Sequence, residues 1–332
     1  MEIGNIDKMY DLCLNFGLGN VIADPIEVKG GLLHSMCKVT TDRGAFAVKC
    51  LNPAIMSREC ALNNVINSEK ISEILLELNI PAITAKKIYT KHVHQYKEQY
   101  YMFFNWFNGK SIYPPEINEK HCNAIGDIIG KIHNLDISVE GVEDKAEIST
   151  FYKWKEFLEM ERKKKVIWDS VYEESLEDIM TWNQKVLNAK AILSKEKVIS
   201  HRDLDPKNVM WQGNCPFIID WEAAGYVNTY QELLEVLNYW ADDGNGGLDK
   251  RLFMAILNKY KTHKSINNVN WDVVLDSGYE GMLGWLEYNI KRALGIEVSS
   301  EDEIMLGEQQ VISTITELKR YQEKMSLLRE WL

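Results

Sequence analysis

The feature that most limits what this chain can fold into is a change of pattern near residue 105, where strand-like text gives way to helical text. Before it, Ile26-Glu27-Val28, Met36 to Thr40 and Ala45 to Cys50 are short apolar runs. They are broken at Gly30-Gly31 and at the polar turn Thr41-Asp42-Arg43-Gly44. This predicts antiparallel strands, the last two joined by a tight turn. Residues 57 to 78 predict one helix, with Ile71, Ile74, Leu75 and Leu78 on a face and a stop at Asn79 and Pro81. Strand signal returns at Ile83 to Tyr89 and at Gln99 to Phe104. From about 110 onward the pattern is helical: Cys122, Ile125, Ile128, Ile129 and Ile132 recur on one face, and periodic stretches cover 151–194 and 228 to the end. Only 197–222 interrupts them, as loop and strand. The expected class is α+β.

Composition narrows the function more than the fold. With 332 residues, 45% of them apolar, the chain can bury a full core without disulfide staples. Against 38 Lys and Arg stand 49 Asp and Glu, a formal net charge of −11 that repels polyanions, so no nucleic-acid partner is expected. A cationic small molecule suits that balance better. The six cysteines (Cys13, Cys37, Cys50, Cys60, Cys122, Cys215) show no metal-site spacing and read as small core residues in a reducing compartment. Charges at Glu2, Asp7 and Lys8 interrupt the stretch a signal peptide needs, and no apolar run approaches the roughly 18 residues of a membrane span. A soluble cytoplasmic protein is expected, with no membrane and no obligate protein partner.

The chemistry concentrates in the interruption. His201-Arg202-Asp203-Leu204-Asp205-Pro206-Lys207-Asn208 fits H-R-D-L-x-x-x-N, with four residues between Asp203 and Asn208; Asp220 follows Asn208 by twelve, at the end of Phe217-Ile218-Ile219. Phosphoryl transfer from ATP needs this set. One carboxylate orients the acceptor hydroxyl and takes its proton, while a second carboxylate and an amide give oxygen ligands to Mg²⁺. Asp203 is the expected base, and Asn208 and Asp220 the expected metal ligands. A hairpin turning at Gly213-Asn214 is expected between those two, and His201 reads as a packed, hydrogen-bonded support.

Upstream, Phe46-Ala47-Val48-Lys49 matches the strand position where an ammonium neutralises nucleotide phosphates. The helix that follows should supply a carboxylate to hold Lys49; Glu69, mid-helix, is the choice, with Glu59 and Glu73 as competitors. Gly30-Gly31-Leu32-Leu33-His34-Ser35 is not G-x-G-x-x-G. Either it makes a hairpin turn, or its backbone N–H groups and Ser35 cover phosphates, with Gly30 and Gly31 allowing the approach.

With these residues in view, the sequence resembles the aminoglycoside phosphotransferase and choline kinase superfamily, the small-molecule relatives of protein kinases. The resemblance runs through Lys49, the helix ending before Ile80-Pro81, Met102-Phe103-Phe104-Asn105-Trp106-Phe107-Asn108-Gly109, Ile129-Gly130-Lys131-Ile132-His133-Asn134-Leu135, the His201–Asn208 loop and Ile218-Ile219-Asp220-Trp221-Glu222. It implies a bilobal protein-kinase-like fold: a small β-rich nucleotide-binding lobe over 1–104, a hinge over 105–109 and a larger helical catalytic and substrate-binding lobe over 110–332. It further implies adenine bound by the backbone of Asn105 and Phe107, ATP as donor with GTP as the other candidate, and Mg²⁺. The acceptor would be a hydroxyl of a small, amine-bearing molecule.

Specificity is then expected in 228–332, where Glu232, Glu235, Asp242 and Asp243 stand among Trp240, Trp285, Glu287 and Tyr288. Carboxylates beside aromatic rings suit an amine by ion pairing and cation–π attraction. Asp205, Glu222, Trp240, Trp285 and Glu287 are the acceptor-site candidates, and Trp285, Asn289 and Arg292 resemble a cleft-lining helix of the superfamily. Three departures stand out: Asp220-Trp221-Glu222 replaces D-F-G, no A-P-E follows, and Arg202 occupies a place where many members carry a small residue or Asn. The first two disfavour a protein kinase. A nucleotide-binding regulator without turnover is the remaining alternative.

Overall fold

In the computed structural model, residues 6–28, 34–144, 153–164, 166–296 and 300–332 are described. In chain order the elements are α1 (Ile6–Asn15), β1 (Val21–Val28), β2 (Ser35–Thr41), β3 (Gly44–Cys50), α2 (Pro53–Met56), α3 (Ala61–Glu77), β4 (Val93–Tyr96), β5 (Gln99–Asn105), α4 (Glu119–His133), α5 (Trp154–Lys164) and α6 (Asp169–Leu193). There follow β6 (Lys197–Ser200), β7 (Val209–Gln212), β8 (Cys215–Ile218), β9 (Gly225–Asn228), α7 (Thr229–Trp240), α8 (Lys250–Tyr260), α9 (Trp271–Ser277), α10 (Glu280–Ala293) and α11 (Glu301–Trp331). They form two units: residues 1–113, 136–143 and 199–225 make the first, and 114–135, 144–198 and 226–332 the second.

The first unit is built on a five-stranded antiparallel sheet ordered β1-β2-β3-β5-β4. The period of two sorts β3: Phe46, Val48 and Cys50 join Met9, Leu12 and Phe16 of the α1 region in one buried cluster, which leaves Ala47 and Lys49 on the opposite face. Lys49 pairs in register with Met102 of β5, which is buried with Val65 of α3. The strand thus buries its ammonium-bearing residue on the side of the sheet that α3 covers.

The single helix expected over 57–78 is α3, which starts only at Ala61; a separate short helix, α2, precedes it, capped by Asn52, whose side chain accepts from the Ala54 N–H. Asn79, at φ 64°, ends α3 as expected. Residues 83–89, expected as a strand, are not one: Ala82 and Ile88 make only isolated bridges. Their hydrogen bonds go elsewhere, Ala85 N to a helix carboxylate and Ile83 N to Ile218 O.

Expected with the helical part, residues 199–225 instead belong to the first unit. Backbone bonds explain it: Ile83 N donates to Ile218 O and Ile218 N to Pro81 O, both at 2.8 Å, while Lys110 and Trp211 exchange two bonds. Residues 136–143 follow for a similar reason, since Asn67 and Lys70 of α3 donate to the carbonyls of Gly141 and Glu140.

The second unit is helical, with one close seam between α4 and α8. Gly126 makes that seam: a Cβ there would run into the Ile256 backbone, with its Cα only 3.0 Å away. Backbone cannot yield as a side-chain tip can. Gly126→Ala is therefore expected to cost about 2 kcal/mol despite alanine's better helix propensity, read as a lower urea midpoint. Among the described residues no helix is long and apolar enough to cross a membrane. Cys13, Cys37, Cys50 and Cys122 are buried as expected, but Cys60 and Cys215 are exposed.

Candidate functional site

The loop after β6 is fixed from within. His201 is fully buried; its Nδ1 accepts from the Asp203 N–H at 3.3 Å, so Nε2 carries the proton and donates to Ile219 O at 3.0 Å. The Trp221 ring packs edge-on at 4.6 Å. This is the supporting role read from the sequence. Arg202, at φ 67°, turns the chain sharply, and a carbon beyond Cα at Gly225 would meet its side chain. Asp205 then caps the turn Pro206–Asn208, accepting from Lys207 N at 2.8 Å.

That turn aims Asn208 back at Asp203. The Asn208 amide nitrogen donates to both the backbone oxygen and Oδ2 of Asp203, each at 2.8 Å. Both partners accept only, so the amide oxygen of Asn208 must point the other way. Lys207 leans on Asp203 Oδ1 at 3.3 Å and on Asp205 Oδ2 at 3.8 Å. The hairpin β7–β8 turns at Gly213, φ 60°, and delivers Asp220 in a left-handed conformation, φ 59° and ψ 63°. Asn and Asp tolerate that region better than other side chains.

Lys49 meets this segment across 171 positions of sequence. Its Nζ lies 3.2 Å from Asp220 Oδ1 and 2.5 Å from Glu222 Oε1. Burial disfavours its charge, but the two carboxylates outweigh that and raise its pKa. Burial also acts against the Glu222 charge; the bond from His34 and the charge of Lys49 prevail and hold that carboxyl at about 2. Both oxygens of Glu222 are engaged by Lys49 and His34, so it stands on the lysine's side of the site and not, as expected, on the acceptor's.

Glu69 corrects a second expectation. It lies on α3 and is buried, yet its carboxylate takes the Ala85 N–H at 2.7 Å, and the ammonium of Lys49 is held by Asp220 and Glu222 instead. The competitors fare no better: Glu73 pairs with Lys87, and Glu59 is exposed. Desolvation pushes Glu69 up to about 7, against the pull of the Ala85 bond and of Lys49. An acid whose folded pKa exceeds its unfolded one binds more protons when folded, so stability falls as pH rises from about 4.5 to about 7. Glu69→Gln keeps an acceptor for Ala85 and is expected to remove that slope, gaining up to about 3 kcal/mol at pH 8 and little at pH 4. Unfolding in urea at both pH values checks it.

The remaining expected residues divide as follows. Gly30 and Gly31 lie outside the described residues; Ser35 opens β2, partly buried. Asn105 ends β5 and takes a bond from Lys86 at 3.0 Å, while the ring of Phe107 packs on Phe217 at 4.4 Å. Trp240, Trp285 and Glu287 belong to the other unit. Trp240 is fully buried among its helices, which overturns its place at the acceptor, and Glu232 is likewise buried against His133 at 2.8 Å. Trp285 is 43% exposed, stacked on Tyr288, and Glu287 pairs with Lys291. Sequence reading missed His34 altogether. A histidine three positions after a glycine pair is a weak signal, and its partner is 188 positions away (222 − 34).

Which group of proteins builds such a unit is decided by comparison. The family model described as "Phosphotransferase enzyme family" matches residues 26–264, well over half of the chain. The chain belongs to that family. Comparison of this phosphotransferase with curated proteins finds no match. Its fold is that of solved kinases: spectinomycin phosphotransferase APH(9)-Ia, in complex with ADP and spectinomycin, has TM-score 0.72 at 13% identity, covering 95% of this chain and 98% of that one. Plasmodium vivax ethanolamine kinase has TM-score 0.59 at 16%, covering 90% and 83%. Amicoumacin kinase hAmiN, in complex with AMP-PNP, Ca²⁺ and Ami, has TM-score 0.60 at 12%, covering 87% and 88%.

Proposed function

We propose that this phosphotransferase moves the γ-phosphate of ATP to a hydroxyl of a small, amine-bearing molecule. The observation that carries the reading is the fixed carboxylate of Asp203: its Oδ2 and backbone are tied to Asn208, in the same unit as the Lys49–Asp220 pair. The acceptor oxygen attacks the γ-phosphorus as the bond to the β-phosphate oxygen breaks. Its proton passes to Asp203, and the freed charge goes to the ADP leaving group. Lys49, drawn from Glu222 onto phosphate oxygens, offsets the negative charge gathered there.

The donor set fits Mg²⁺. Asp220 offers a carboxylate, 47% exposed, and Asn208 an amide oxygen turned away from Asp203, both hard ligands. A hard cation held there would take its other ligands from phosphate and water. When bound, the cation screens the phosphates and fixes their geometry. The backbone at Asn105 and Phe107 is our site for adenine, and Trp285 and Glu287 our remaining candidates for the acceptor.

The test is Mg²⁺-dependent consumption of ATP and of GTP against spectinomycin, gentamicin, choline and ethanolamine, with Asp203→Asn as the blank. Turnover that vanishes in the variant supports the proposal. ATP binding with silence across a wider amine panel favours a non-catalytic regulator, and phosphorylation of peptides alone favours a protein kinase.

A further inference from the structure

We propose that His34 is a positioning residue, holding Glu222 so that Lys49 is presented to nucleotide phosphates. This rests on the reading above of Lys49 as the phosphate-binding ammonium. The starting point is a competition. A carboxylate 2.5 Å from Lys49 competes with phosphate for that ammonium, and the competition eases where another donor shares its negative charge. His34 does so. Its Nε2 lies 3.2 Å from Glu222 Oε2, the oxygen that Lys49 does not take.

Which proton His34 brings is fixed from behind. The backbone N–H of Asn52 donates to His34 Nδ1 at 2.9 Å, so Nδ1 must be an acceptor and Nε2 the protonated nitrogen. Asn52 is itself held, as the cap of α2, by the bond from Ala54 N to its side chain at 3.0 Å. The ring is buried, with a partner on each nitrogen. A relay therefore runs from the cap of α2 through His34 and Glu222 to Lys49, joining the segment at the start of β2 to the turn after β8. On the reading above, Lys49 is the member of that relay that meets phosphate.

Two substitutions separate the ends of the ring. His34→Asn places an amide oxygen where Nδ1 stands, keeping the Asn52 bond and removing the donor to Glu222. His34→Gln places an amide nitrogen where Nε2 stands, keeping the donor and removing the acceptor. Calorimetric titration with ATP is expected to show His34→Asn weakened about tenfold and His34→Gln within about twofold of the parent. In a Glu222→Ala background, His34→Asn should have no further effect, because the residue acts through Glu222.

A merely structural histidine would give a different pattern: both variants weakened alike, in step with their thermal midpoints. That result, or His34→Asn binding like the parent, overturns the assignment while leaving the phosphotransferase reading intact. A parent that binds no ATP removes both.

Discussion

In Asp203→Asn, kcat falls by a factor of about 10² to 10⁴ while the affinity for ATP stays close to that of the parent. The loss is that of a proton acceptor: an amide has the carboxylate's shape but cannot take the hydroxyl proton. The loop should survive the change. Asn208 also bonds the backbone oxygen of residue 203, and His201 holds its N–H, so two of the local contacts do not depend on the side chain. The ion pair to Lys207 is lost, but that lysine is 53% exposed and its pair contributes little. Single-turnover kinetics beside calorimetric binding separates the two quantities. An equal loss in both would mean that Asp203 holds nucleotide and that the base lies elsewhere.

Asp220→Asn is expected to abolish the Mg²⁺ dependence of ATP affinity and to lower turnover at least about a hundredfold. Asparagine is the informative substitute because the backbone at 220 is left-handed, φ 59°, a conformation alanine would adopt only with strain. The amide oxygen can still accept from Lys49, so the variant removes charge without removing the partner. Titration with ATP in the presence of Mg²⁺ or of a chelator reads the effect directly. If the difference between those two conditions persists in the variant, the metal is held by other residues.

Sequence pattern carried the chemistry further than it carried the contacts. The Asp203–Asn208 turn and the hairpin could be read because their partners lie within a few positions, and Asp220 because it follows that hairpin directly, so spacing alone implies geometry. The pairing of Lys49 could not. Glu69 is at a fitting helix position and is buried on the same side of the sheet, yet its carboxylate turns to the Ala85 N–H, an orphan donor of a segment that only looked like a strand. The burial of Trp240 was equally hidden, because an aromatic on a helix reads the same whether it faces core or solvent. His34 failed for a third reason: its role comes entirely from two distant partners, Asn52 N and Glu222.

That the first unit is made from separate stretches of chain also bears on how it can be made and moved. The five strands of its sheet are all complete by residue 105, so the sheet can close early during synthesis. Lys49 must wait for Asp220 and Glu222, with much of the helical unit emerging from the ribosome in between. A chain halted near residue 198 is thus expected to own a folded sheet and no working charge cluster. For the same reason this unit cannot be excised as one continuous fragment. Grafting it onto another protein requires all three stretches, up to 113, 136–143 and 199–225, joined by linkers in place of the helices.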